Sequence, residues 1–165
     1  MEFTYEEVAG WFDVYFEQVC RFQGNLETVP KLKHFFSVDL QLTMHTAPSQ
    51  KPLVMTRDTL LVSFIHPGLQ EDILPKCYVI DIRQLIVAVQ FEIRFHDGPT
   101  GKKWAPIQAS AHYHLANDAD GGLLIRKIEY WTEALPTDVF EIWAQRRSEA
   151  LAMLAVNHVN ALAGL

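Results

Sequence analysis

The chain has 165 residues, a formal net charge of −6 and 49% hydrophobic side chains. This length and composition fit one globular domain with a single hydrophobic core, and they exclude a disordered tail. No basic cluster interleaves with aromatic residues, so we expect no nucleic-acid partner. We also expect no membrane partner, because no apolar run is long enough to cross a bilayer. The acidic, amphipathic start differs from a secretory signal, and Cys20 and Cys77 are far apart, which predicts a cytoplasmic protein.

The first predicted element is an amphipathic helix over residues 4–22. Thr4 and Glu7 have the spacing of a capping box, in which each side chain satisfies a backbone amide of the other residue. The apolar residues that follow recur at helical spacing and predict one buried face. They are Val8, Trp11, Phe12, Tyr15, Phe16 and Val19.

Strand-like segments occupy the middle of the chain. Residues 37–45 alternate apolar and polar side chains, which is typical of a half-buried strand. Three further strand-like runs, joined by turn-rich segments, predict an antiparallel meander. These runs are residues 78–83 continuing or bending into 85–95, then 107–116, then 123–133. Short helices are predicted around 26–34 and over 55–65, where His66-Pro67-Gly68 ends the second, and a long helix from Pro136 to about residue 163. This order favours an α+β fold.

Three segments carry a resemblance to a known superfamily. They are VYFEQV (14–19), LKHFFSVDLQLTMHTAP (32–48) and GLLIRKIEYWTEAL (122–135). Together with the element order they resemble the NTF2-like superfamily, which includes SnoaL-like cyclases, ketosteroid isomerases and scytalone dehydratase. The resemblance implies a cone in which N-terminal helices pack on a curved antiparallel sheet. We therefore expect one such domain at residues 1–135, and an additional C-terminal helix at 136–165 that packs on it or on a partner subunit.

The resemblance also implies positions for site residues. Tyr15 corresponds to a pocket tyrosine of the steroid-isomerase branch, and Trp131 to a tryptophan that lines the pocket. His45 stands where that branch has an aspartate as general base. The chain departs from the pattern in this histidine, in the long helix after Pro136, and at Lys76-Cys77-Tyr78, where the dehydratase branch carries a histidine. The last difference weakens a dehydratase interpretation.

Alternation along the meander predicts which residues share a face, provided that the turns at 96–105 and 116–122 are simple. One predicted face combines apolar walls with ionisable groups beside a tryptophan, as a ligand pocket requires. Its residues are Val87, Val89, Phe91 and Ile93, then Ser110, His112 and His114, then Ile125, Lys127, Glu129 and Trp131. A single bulge would exchange the two faces.

The histidines on this predicted face permit two kinds of chemistry. His112 and His114, with Glu129 or His45 as a third ligand, have the residue types of a metal site. No further spaced ligand follows, so we expect neither a metal nor a cofactor. Alternatively, His45 is a general base that abstracts a proton next to a carbonyl, and His112 and Tyr15 donate hydrogen bonds to the enolate. Glu129 would orient an imidazole.

Each of these residues also has a structural explanation. His45 would face solvent at a strand end, Tyr15 would pack in the core, and Glu129 would pair with Lys127 on a wet face.

The sequence therefore predicts a protein that binds a small hydrophobic organic ligand. The residues expected to contact it are Trp11, Phe12, Phe91, Lys127 and Trp131. The activity expected from the resemblance is that of a cofactor-independent isomerase or cyclase acting on a hydrophobic carbonyl compound. The alternatives are a non-catalytic ligand-binding or dimerisation module, and an accessory subunit similar to the β-subunit of ring-hydroxylating dioxygenases. Because relatives with this fold commonly pair through the outer face of the sheet, the resemblance also implies a homodimer.

Overall fold

The structure is a computed structural model that describes residues 3–45 and 51–163, with side chains to residue 153. Helices lie at both ends of the chain and six strands form one curved sheet between them. The helices are α1 (Tyr5–Phe22), α2 (Arg57–Ser63) and α3 (Thr137–Ala163), with a 3-10 helix at Val29–Phe35. The strands are β1 (Phe36–His45), β2 (Leu53–Thr56), β3 (Leu69–Asp81), β4 (Ile86–Asp97), β5 (Ile107–Asn117) and β6 (Leu123–Thr132). In the described residues, no helix is long and apolar enough to span a membrane.

The sheet has the strand order β2-β1-β6-β5-β4-β3. Strands β3 to β6 form the predicted antiparallel meander, whereas β1 pairs in parallel with β6. Helix α1 packs on one side of this sheet, which we call the inner face, and the opposite side is the outer face. The expected α+β fold, with N-terminal helices on a curved sheet and a C-terminal helix, is confirmed.

Helix α1 begins as the capping pattern predicts. The Thr4 hydroxyl accepts a hydrogen bond from the Glu7 amide at 3.2 Å, and the Glu7 carboxylate accepts one from the Thr4 amide at 2.8 Å. Downstream, the apolar stripe of the helix is buried against the sheet. The Phe12 ring lies 5.1 Å from the Tyr113 ring, and the Phe16 ring lies 5.9 Å from the Phe91 ring. The core therefore lies between α1 and the inner face.

The strand β3 is longer than predicted and begins nine residues earlier, at Leu69. Its start follows a tight turn at His66-Pro67-Gly68-Leu69, in which the Leu69 amide donates to the His66 carbonyl at 3.1 Å. Gly68 has a φ of +83°, a value that glycine adopts without strain, and proline precedes it. Helix α2 itself ends earlier than predicted, at Ser63, and these residues redirect the chain into β3.

The C-terminal helix is anchored on the same chain near this turn. Trp143 donates its indole N–H to the Ser63 carbonyl at 3.0 Å. The Arg146 guanidinium donates to the Pro67 carbonyl at 3.0 Å and to the Asp97 carboxylate at 2.8 Å. Asp97 is only 1% exposed, so this ion pair lies inside the protein. The first half of α3 therefore closes one end of the domain.

Candidate functional site

The predicted histidine site lies on the outer face of the sheet. Strand pairing places His112 opposite Glu129 and His45 opposite Trp131. The Trp131 ring stacks on His45 at 5.1 Å and meets His112 edge-on at 5.0 Å. The residues next to His112 along β5, Ala111 and Tyr113, are buried in the core, so His112 itself points away from it. The predicted proximity of these residues is correct, but their face is not the one that contacts α1.

Tyr15 lies on the other side of the sheet. Its ring is buried and packs against Phe35 at 5.2 Å and Tyr113 at 5.9 Å. The expectation that His45, His112 and Tyr15 face one cavity is therefore wrong. The error lies in the position of β4 relative to β5. Val89 pairs with Ala111, so these two side chains share the inner face, whereas the prediction placed Val89 on the same face as His112. The long 98–106 connection is not a simple turn, and the parity across it is the reverse of the one assumed.

The residues expected to contact a ligand divide between the two faces. Trp11, Phe12 and Phe91 lie with Tyr15 in the aromatic interior. In contrast, Lys127 and Trp131 lie on the outer face, where Lys127 forms an ion pair with Glu129. Hydrogen bonding from Lys127 lowers the pKa of Glu129. The outer cluster (His45, His112, Lys127, Glu129 and Trp131) is thus a partly exposed group of ordinary surface character, separate from the interior.

Glu71 is the carboxylate that sequence reasoning missed, and it lies on the inner face. It is paired across the sheet with Phe95, which is buried in the core. Burial, followed by the neighbouring charge of Asp72, raises the pKa of Glu71 to about 7. The Glu71 side chain keeps 19% of its accessible surface, so water can still reach it. A carboxyl group of this kind is poised to take up and release a proton near neutral pH.

Buried tyrosines share the inner face with this carboxyl. Burial raises the pKa of Tyr15 and of Tyr130, and the charge of Glu71 adds to both shifts. The Tyr15 ring lies 5.9 Å from the ring of Tyr113, whose pKa is also raised by burial. Buried tyrosines with raised pKa values remain protonated and can donate hydrogen bonds. The interior thus combines one carboxyl group, several phenol donors and aromatic walls.

His66 completes this inner cluster, which we define as Tyr15, His66, Glu71, Tyr113 and Tyr130. Its side chain is 1% exposed, and Nε2 lies 3.8 Å from the nearer Glu71 oxygen. Burial lowers the pKa of His66. Because burial favours the neutral form of both groups, we interpret the contact as a neutral pair and not as a salt bridge. The sequence indicated His66 as a loop residue after the second helix, with a gate to the cavity as the alternative.

Both the inner cluster and the outer cluster differ from metal sites in the arrangement of their possible ligands. Among the residues that the structure describes, no three His, Cys, Asp or Glu side chains gather around a common point where a cation could bind. The titratable groups that interact with Glu71 are phenols, a thiol at Cys20 and one imidazole, and Gln23 donates a hydrogen bond to its backbone carbonyl. Proton transfer and hydrogen bonding are therefore the chemistry that these side chains offer directly.

Comparison with known proteins reveals structural but not sequence similarity. No protein-family model matches the chain, and no curated protein sequence matches it. Solved structures do match. Nuclear transport factor 2 from Cryptosporidium parvum superposes with a TM-score of 0.54 and 16% identity, over 75% of this chain and 90% of that one. A proposed polyketide cyclase from Xanthomonas campestris superposes with a TM-score of 0.54 and 11% identity, over 85% of this chain and 96% of that one.

A ketosteroid isomerase-like protein from Erwinia carotovora superposes with a TM-score of 0.53 and 15% identity, over 81% of this chain and 100% of that one. At these identities the likeness concerns the fold. The chain has the NTF2-like cone fold, as the resemblance of its sequence implied.

Proposed function

We propose that this chain, with its NTF2-like fold, is a cofactor-independent isomerase or cyclase that moves a proton on a hydrophobic carbonyl compound. The observation that carries the proposal is the position of Glu71, a carboxyl group of pKa about 7 on the inner face among aromatic side chains. Structural neighbours that include a proposed polyketide cyclase and a ketosteroid isomerase-like protein support the same class of chemistry.

Glu71 is the general base in this proposal. Its carboxylate takes a proton from the carbon next to the substrate carbonyl, and the electron pair of that C–H bond moves to form an enolate. In an isomerisation, the Glu71 carboxyl returns the proton to a different carbon. In a cyclisation, the enolate carbon attacks a second carbonyl and the new alkoxide receives the proton. A pKa close to the working pH allows one group to serve in both directions.

Tyr15 and Tyr130 are the proposed hydrogen-bond donors to the enolate oxygen. Both side chains lie on the inner face with Glu71, whose charge raises their pKa values. Donors fixed in advance in a dry environment stabilise developing negative charge more strongly than water does. The aromatic residues Trp11, Phe12 and Phe91 are the proposed contacts for the apolar part of the substrate.

The test is hydrogen exchange on a simple ketone. The protein is incubated with β-tetralone in deuterated buffer near neutral pH, and deuterium uptake next to the carbonyl is followed by NMR against a protein-free sample. We expect protein-dependent exchange, which rises with pH through about 7 as Glu71 loses its proton. Glu71→Gln should lower the rate at least about 100-fold, the usual contribution of a general base.

Glu129→Gln is the matched control, because it makes the same change in the outer cluster. It should leave the exchange rate unaltered. An unchanged rate in Glu71→Gln would contradict the proposal, and a loss in His45→Ala would move the site to the outer face. Binding of the tetralone by the wild-type protein without any exchange would favour the ligand-binding module instead.

A further inference from the structure

His66 holds a buried hydrogen-bond acceptor that faces Glu71. Its Nδ1 lies 2.8 Å from the Leu69 carbonyl oxygen. A carbonyl can only accept, so Nδ1 carries the hydrogen, and in the neutral ring Nε2 then presents a lone pair. Nε2 is buried, and within the described part of the chain no group is hydrogen-bonded to it. The Glu71 carboxyl, which can donate a hydrogen bond when it is protonated, lies 3.8 Å from Nε2.

We propose that His66 is a positioning residue whose Nε2 accepts a hydrogen bond from the protonated Glu71 carboxyl, and that α3 fixes the loop that presents it. This inference rests on the proposed function only in that both concern the Glu71 carboxyl. A protonated carboxyl has one O–H to donate, whereas a carboxylate has none. The contact therefore forms when Glu71 is protonated and is lost when Glu71 gives up its proton.

The surroundings of Glu71 favour this protonated form. The titratable groups whose charges interact with it are Tyr15 and Cys20 from α1, Tyr130 from β6 and the adjacent Asp72, which points to the other face of β3. None of these is a cation that would hold the carboxyl in its charged state. The opposite residue on β4 is apolar Phe95, and on α3 the Arg146 guanidinium binds Asp97 instead. His66 Nε2, 3.8 Å from the Glu71 carboxyl, is thus in position to accept a hydrogen bond from its protonated form.

Helix α3 secures the His66 loop on both sides. Trp143 donates to the carbonyl of Ser63, three residues before His66, and Arg146 donates to the carbonyl of Pro67, directly after it. The turn formed by His66-Pro67-Gly68-Leu69 folds the imidazole back onto the Leu69 carbonyl. The gap to Glu71 is 3.8 Å, so a movement of about 1 Å brings it to the roughly 2.7 Å of a hydrogen bond.

The test is an NMR titration of the ligand-free protein with labelled glutamate carboxyls and histidine rings. Glu71→Gln identifies the Glu71 signal by its disappearance. His66→Asn retains an amide N–H in place of Nδ1–H, for the bond to Leu69, but has no acceptor at the Nε2 position. We expect the Glu71 pKa to fall by about half a unit to one unit in this variant, because the neutral form loses one hydrogen bond. His112→Asn, on the outer face, should leave the Glu71 pKa unchanged.

Two further measurements keep the proposal testable if His66→Asn does not fold. In the wild-type protein, the Nε2 nitrogen signal of His66 should move as Glu71 titrates. Trp143→Phe, which removes the bond to Ser63 and keeps an aromatic ring, should lower the Glu71 pKa in the same direction by a smaller amount.

A His66 Nε2 signal that does not respond to Glu71, or a Glu71 pKa that is unchanged or raised in His66→Asn, would overturn the inference. A merely structural role for His66 would change the melting temperature without moving the Glu71 pKa. Since no substrate is present, a failure of the exchange assay on β-tetralone leaves this titration unaffected.

Discussion

The two faces of the sheet carry similar side chains and differ in what surrounds them. The outer face presents His112, Glu129 and Trp131, and the inner face presents Tyr113, Tyr130 and Glu71. On the outer face, Lys127 holds the pKa of Glu129 below its usual value, as at many protein surfaces. On the inner face, burial raises the pKa of Glu71 to about 7. A cluster of ionisable groups therefore indicates a reactive site only when its environment also changes how those groups titrate.

The largest expected difference between the faces is in packing. Phe91 is buried against the rings of Phe16 and Tyr130, and its neighbour Gln90 is exposed on the other side of β4. Phe91→Ala should lower the free energy of unfolding by about 4 kcal/mol, because it removes a buried ring and leaves a cavity. Gln90→Ala should change it by less than about 0.5 kcal/mol. Urea unfolding of both variants measures this, and equal losses would contradict the assignment of the faces.

A smaller but more specific difference concerns pH. A carboxyl whose pKa is raised by folding binds a proton more tightly in the folded state, so its contribution to stability is complete below the unfolded pKa of about 4.3 and is lost as pH rises through about 7. Wild-type protein should therefore lose about 3 kcal/mol relative to Glu71→Gln between these limits. Chemical unfolding of both proteins across this pH range measures the difference. A constant difference would show that Glu71 titrates normally.

The smallest expected effect belongs to the outer ion pair. Lys127 and Glu129 are partly exposed, with 42% and 31% of their side chains accessible. Removing such a pair by Lys127→Met should change the free energy of unfolding by less than about 0.5 kcal/mol, because water screens the charges. A loss several times larger, particularly one that grows with protein concentration, would indicate that a second copy covers this face. The same unfolding series therefore tests the predicted homodimer.

The sequence predicted the helices and most of the strands because their signals are local. The Thr4–Glu7 capping box and the apolar stripe of α1 are formed as expected. In β1, the alternation holds for Leu40 and Leu42 but not for Val38, which is 77% exposed where the pairing with β6 shifts its register. Local patterns thus located the elements but not their irregularities.

The faces of the meander could not be predicted, because parity depends on the connections. Within β5 and β6 the grouping of His112 with Glu129 is correct. A bulge at Arg126, opposite His114 and Leu115, moves Ile125 to the inner side. The error arose between β4 and β5. Strand β4 extends to Asp97, and an isolated bridge joins His96 to Lys103. Whether the connection between β4 and β5 has an odd or an even number of residues decides which side chains of β5 face α1.

Glu71 was missed because its neighbours, Gln70 and Asp72, make the segment look like a polar loop. A signal was nevertheless present. Pro67-Gly68 is the pair that a type II turn requires, and Leu69 and Ile73 then alternate on one face with Glu71 between them. Interpreted as the start of a strand rather than as the end of a helix, this segment places one carboxylate among inward-facing apolar residues.

The parallel pairing of β1 with β6 has a consequence for how the chain folds. These two strands are neighbours in the sheet but are separated by nearly the whole domain in the sequence. Contacts of such long range make folding slow, since the loop between them must be ordered first. On the ribosome, β1 waits for its β6 partner until almost all of residues 36–132 have been synthesised. A chain that stops before β6 would therefore expose the unpaired edge of β1, although α1 would already have β3 to β5 to pack on.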